Sequence, residues 1–117
     1  MSTNSQIAFT PLGKTVVVAA AGTAPTGVQA PVYEKFNPQN AGQYRFVNAG
    51  TNTVFLGTGP TAALAQAASV APVAGTPSDA IVLVPGAVEI LRFNNDTFFS
   101  GLASGATTVY ITPGQGI

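Results

Sequence analysis

The chain has 117 residues, enough for one domain around one core. Charged residues make up 7%, and four Lys and Arg balance four Asp and Glu; so few scattered cations cannot build a phosphate-neutralising face or a polybasic membrane patch, which argues against nucleic-acid and membrane-surface binding. Cysteine and histidine are both absent, which removes disulfides, thiolate chemistry, the commonest metal ligand and the side chain that exchanges protons near neutral pH.

Ordinary soluble domains carry about 25% charged residues. Here apolar residues reach 46%, and the surface must be made largely of Thr, Ser, Asn, Gln, Gly and Ala. Such a surface is cheap to dehydrate, because ions are the costly groups to strip of water. The composition therefore points to a protein that covers part of itself with copies or with a partner.

Residues 1–6 are polar and read as an arm, and Ile7 and Phe9 offer it an apolar anchor. Pro11-Leu12-Gly13 is expected to turn. Residues 14–21 read as a strand, since three successive valines suit a pleated surface. Their poor alternation implies that both faces are covered. One cation before a short β-branched run is a weak match to a signal peptide, and no apolar run approaches a membrane span.

Residues 22–30 form a loop by their Gly and Pro content. Tyr33 and Phe36 are expected as lids over one end of the core. Residues 43–48 and 53–57 read as a hairpin across Ala49-Gly50-Thr51-Asn52, with Tyr44, Phe46 and Asn48 sharing one face. Residues 61–70 are the one segment with helix propensity. Pro60 suits a first helical position, but Leu64 is the only large apolar side chain available to a buried face.

The last third, residues 80–117, holds four short apolar runs at 80–84, 87–93, 97–102 and 107–112. Pro85-Gly86, Asn94-Asn95-Asp96 and Ser104-Gly105 separate them, and each is turn chemistry. Val84-Pro85-Gly86-Ala87 favours a type II turn, which fits a hairpin poorly and suits a corner between two sheets. On the following strand Val88 and Ile90 face one way, and Glu89, Leu91 and Phe93 the other.

Val84-Pro85-Gly86-Ala87-Val88-Glu89-Ile90-Leu91 and Thr107-Thr108-Val109-Tyr110-Ile111-Thr112-Pro113-Gly114 resemble a pattern in small structural proteins of tailed bacteriophages. In that pattern a Pro-Ala-Gly or Pro-Gly turn leads into a Val-Glu-Val-Leu or Val-Glu-Ile-Leu strand, and the chain closes on Tyr, then Ile or Val, then Thr-Pro-Gly. Val47-Asn48 and Val54-Phe55-Leu56 fit it upstream, so the resemblance covers residues 43–117. It implies a virion protein that decorates or cements the capsid exterior. Its implied partner is the major capsid protein, and it would be made in the host cytoplasm.

Motifs for chemistry are weak. Gly13-Lys14-Thr15 imitates the end of a phosphate-binding loop, but Ala8 stands where the first glycine belongs and a β-branched run follows. No Ser-His or Cys-His pair can exist, and no spacing brings two of the four carboxylates together. Asn94-Asn95-Asp96-Thr97 has too little charge for a calcium loop. No enzyme, cofactor or metal site is expected.

The residues thus predict an all-β, antiparallel sandwich of the jelly-roll or Greek-key kind, with at most one short helix. It is a single domain over residues 1–117, with 1–13 as a candidate N-terminal arm, and it is expected to form a dimer or trimer. Interface candidates are Ile7 and Phe9 on the arm, Leu91 and Phe93 as an outward set, and the tail from Pro113. The alternatives are a receptor- or carbohydrate-binding module, with Asn94–Asp96 beside Phe98 as its cluster, and a head–tail connector or tail subunit.

Overall fold

The computed structural model describes residues 9–33 and 42–115. Its strands are β1 (Thr10–Pro11), β2 (Val16–Ala20), β3 (Val28–Gln29), β4 (Gln43–Asn48), β5 (Val54–Gly59), β6 (Ile81–Leu83), β7 (Val88–Arg92), β8 (Phe98–Ala103) and β9 (Thr107–Gln115). One helix, α1 (Ala62–Ala68), lies between β5 and β6.

The strands form two antiparallel sheets packed as a sandwich, as the sequence predicts. One sheet runs β1-β9-β4-β7, with β2 beside β1 on the same edge of β9; the other runs β3-β8-β5-β6. From β2 to β9 the chain changes sheet at every connection except β5–β6.

The alternation of side chains explains this winding. Tyr44, Phe46 and Asn48 point inward from β4, and Val54 and Leu56 point inward from β5; all five are fully buried. Both strands present large apolar side chains to the same core, so they face each other across it. The expected hairpin at 43–57 is therefore a corner: β4 pairs with β7 and β9, and β5 with β6 and β8. Its loop is fixed by Asn48, whose side-chain oxygen accepts from the Gly50 N–H at 3.0 Å. The same side chain donates to the carbonyls of Asn52 at 2.9 Å and Leu83 at 2.8 Å, the second bond tying the two sheets together.

The other turns follow the sequence more closely. Ala87 N–H donates to the Val84 carbonyl at 2.9 Å, and Gly86 has φ +80°. Glycine meets that backbone requirement without a Cβ penalty. The turn carries the chain from β6 in one sheet to β7 in the other. Thr97 N–H donates to the Asn94 carbonyl at 3.1 Å, closing the turn before β8.

The core is aromatic at its centre. Phe99 stacks edge-on with Tyr44, Phe46 and Phe93, at centroid distances of 6.2, 5.3 and 5.1 Å. Tyr33 closes one end, as expected of a lid: its ring packs on Tyr44 at 5.9 Å. Its hydroxyl accepts from Gly42 N–H and lies within donating distance of the Gln43 and Gly114 carbonyls. Phe36, the other expected lid, lies outside the described residues.

Three local expectations change. Pro11 belongs to β1 rather than to a turn. β9 continues through Pro113 to Gln115, because the Pro113 carbonyl accepts from Leu12 N–H at 2.9 Å while β4 lies on the other side. The helix is capped by Thr61, whose side chain accepts from Leu64 N–H, so Pro60 precedes the cap instead of opening the helix.

Candidate interaction face

The two outer faces of the sandwich differ. On the β3-β8-β5-β6 sheet, Gly57 and Gly59 point outward and α1 rests directly on them. A Cβ on Gly57 would collide with Ser69 and the Ala65 carbonyl, and one on Gly59 would come within 2.9 Å of Ala65 N. The loop from 22 to 27 covers more of this face. Ser100 Oγ donates to the Pro25 carbonyl at 2.6 Å, and Gln66 Nε2 donates to the Ala24 carbonyl at 2.8 Å. What remains open is the short row Val82–Phe55–Leu102.

The sheet containing β2, β9, β4 and β7 has no such cover among the described residues. Register places Val17 beside Tyr110, Tyr110 beside Val47, and Val47 beside Val88. Their neighbours along each strand (Val18, Val109, Phe46) are buried, so these four point outward. Val17, Tyr110 and Val88 are 46%, 42% and 49% exposed. The result is an apolar row across four strands. The next outward row holds Thr112, Arg45 and Ile90, and Thr15 joins it through a 2.8 Å bond between the hydroxyls of Thr15 and Thr112. Ala19 and Thr108 flank the apolar row on its other side.

This face has little charge and no pocket chemistry. Among the described residues no group of three or more acidic, His or Cys side chains could hold a metal ion. Gly13-Lys14-Thr15 is not a phosphate cradle: a Cβ on Gly13 would clash with the Val32 carbonyl, so the loop is packed against the body of the protein. Among the described residues, the one strongly shifted titratable group lies in the core. Burial, with smaller contributions from Tyr33 and Asp96, pushes the Tyr44 hydroxyl up to about 12.

Those expected interface residues that the structure describes lie away from this row. Leu91 and Phe93 turn inward and pack against the core, and Phe93 meets Phe46 at 5.8 Å. The outward set on β7 is Val88 and Ile90. Pro113 is fully buried opposite Tyr44. Phe9 is half-buried, with its ring against Gly114. Ile7 lies outside the described residues. The row itself was not singled out in the sequence. Its signal was the run Val16-Val17-Val18, whose poor alternation reflects an outward valine rather than a second covered face.

No family model matches the chain, and neither a curated protein nor a solved structure matches it significantly.

Proposed function

We propose that the chain is a virion structural protein without enzymatic activity. In this reading it decorates the exterior of a phage capsid and bridges major capsid protein subunits through the outer face of the β2-β9-β4-β7 sheet. The uncovered row Val17–Tyr110–Val47–Val88 is the observation that carries the reading. A soluble domain gains nothing from an apolar row across an open sheet unless something covers it. The near absence of charge lowers the cost of dehydrating the face. Contact area would then stabilise the shell at roughly 25 cal/mol per Å2 before ordering costs, repeated over many copies.

The winding supports the same reading. We read the strand orders β2-β9-β4-β7 and β3-β8-β5-β6 as a jelly roll, an architecture that recurs in viral capsid domains. It recurs in lectins as well, so fold alone does not choose between them. The glycan alternative rests on the exposed Asn94, Asn95 and Asp96 beside a half-buried Phe98. Phe98 therefore offers only part of its ring to a sugar at this cluster.

The test is co-sedimentation of the purified protein with shells that lack it, followed by counting bound copies. Saturable binding at high copy number is expected, with shells that better survive heat. Val17→Asp and Tyr110→Asp should abolish binding while leaving the circular dichroism unchanged. Binding in a dozen copies or fewer would point to a connector or fibre. Absence of binding would refute the reading and make a glycan screen, with Asp96→Ala as its control, the next experiment.

A further inference from the structure

Taking the outer β2-β9-β4-β7 face as an interface, the reading proposed above, we infer that the surface covering it carries a carboxylate set against Arg45. β4 is an interior strand, with β9 on one side and β7 on the other. Tyr44 and Phe46 are buried, so Arg45 between them points outward. Register sets it between Thr112 and Ile90, in the row next to Val17–Tyr110–Val47–Val88. The side chain is half-buried, as suits an arginine whose apolar stem lies on the sheet while its head stays in water.

That guanidinium is uncompensated. Arg45 makes no side-chain hydrogen bond or ion pair among the described residues. The described carboxylates lie elsewhere. Glu89 stands opposite Phe46, on the inward side at the rim of the sheet. Asp79 and Asp96 precede β6 and β8, both strands of the other sheet. Arg92 has the same outward parity as Ile90 but is already engaged, so Arg45 is the cation this face offers to a partner.

Water satisfies Arg45 in the free domain. A surface that buries the apolar row strips that water away, and an ion buried without a partner is strongly destabilising. A carboxylate answers it best, because two parallel bonds match the guanidinium fork. A second copy presenting the same face brings another Arg45 and no acid, so the partner is a different chain. A phosphate surface fits poorly: holding one takes several cations, whereas here one unengaged cation borders a row of Val and Tyr side chains. Arginine and tyrosine on one apolar patch are also the residues that dominate interface hot spots. The row supplies contact area, and Arg45 supplies the choice, since an apolar surface without an acid is rejected.

The test measures affinity for shells that lack the protein. Arg45→Met keeps an apolar stem and removes the charge. It should lose about thirtyfold or more in affinity, the loss expected when one member of a buried charge pair is removed. Arg45→Glu should abolish binding. Lys14→Glu, the same change of charge in the loop before β2, should not. Capping the carboxylates of the shells with carbodiimide and glycinamide should abolish binding of the native protein, and nuclease treatment should leave it intact. An Arg45→Met protein that binds shells as tightly as the native one overturns the inference. So does Arg45-dependent binding to DNA or to phosphatidylglycerol vesicles, which would make the ligand a phosphate. If Arg45→Met unfolds by circular dichroism, the capping result decides. A second probe separates this inference from the capsid reading: a resin bearing benzyl and carboxylate groups, compared with one bearing benzyl groups alone. The first should retain the native protein longer, and Arg45→Met should lose the difference. If shells bind nothing but the resins behave in this way, the capsid reading falls and the carboxylate assignment stands. If native and Arg45→Met proteins elute alike, the assignment falls.

Discussion

Two buried side chains on β4, four residues apart, make opposite demands on the core. Asn48 is fully buried, with both ends of its amide engaged. Removing it strands the Leu83 carbonyl and the Gly50 N–H, each worth about 1–3 kcal/mol when buried without a partner. Asn48→Ala should destabilise the protein by about 3 kcal/mol in urea titrations, with the slope unchanged. Tyr44 is equally buried, but its hydroxyl has no partner among the described residues. Tyr44→Phe should therefore be nearly neutral, within about 1 kcal/mol, or slightly stabilising. The two variants also separate in alkali. A tyrosine held up to about 12 when folded and near 10 when unfolded supports the native state fully below pH 10. That support is lost as pH climbs from about 10 to about 12. Tyr44→Phe should remove this loss, and with it the last step of the absorbance titration at 295 nm.

Among the elements, α1 shows most clearly what a sequence conceals. It lacks the apolar stripe that marks an amphipathic helix, because Leu64 is 52% exposed and Ala65 is its buried residue. It docks by closeness instead. Gly57, Gly59 and Gly27 let backbones meet, and Ser69 returns its hydroxyl to the Ala65 carbonyl at 3.0 Å. Gly57→Val should lift the helix off β5, lower the melting temperature by several degrees, and raise hydrogen exchange in α1 before the rest of the protein. The strands after residue 80 were legible because short β-branched runs alternate with turn residues whose backbone needs are strict. Gly86 is the clearest case. The corner at Asn48 was not legible: Gly50 and Asn52 suit a hairpin equally well, and only the shared core shows that β4 and β5 face each other across it. Leu91 and Phe93 read equally as an outward set or as side chains meeting the other sheet, because both faces of β7 carry large apolar groups; the structure packs them on the core. Alternation without a polar face does not say which side is in.

For the molecule as a whole, the winding sets the folding problem. Every sheet is built from strands distant in sequence; β2 pairs with β9 and β3 with β8. Chains dominated by such non-local pairing fold slowly, since loop closure must precede the contacts that reward it. Stopped-flow refolding should fall in the range of milliseconds to seconds. The sandwich class could be read from the strand count and turn spacing, whereas the exposed row could not. It exists only once register aligns one residue from each of four strands, and Val17 and Tyr110 are far apart in the chain.

The pairing of Thr10 with Gln115 has a mechanical meaning. These positions lie side by side at one end of an antiparallel pair, so a pull applied between them peels β1 from β9 one hydrogen bond at a time. The load never spreads over the whole ladder. Held by these two points in an optical trap, the domain should yield at low force. A lattice that strains its subunits through other anchor points would meet a far stiffer body.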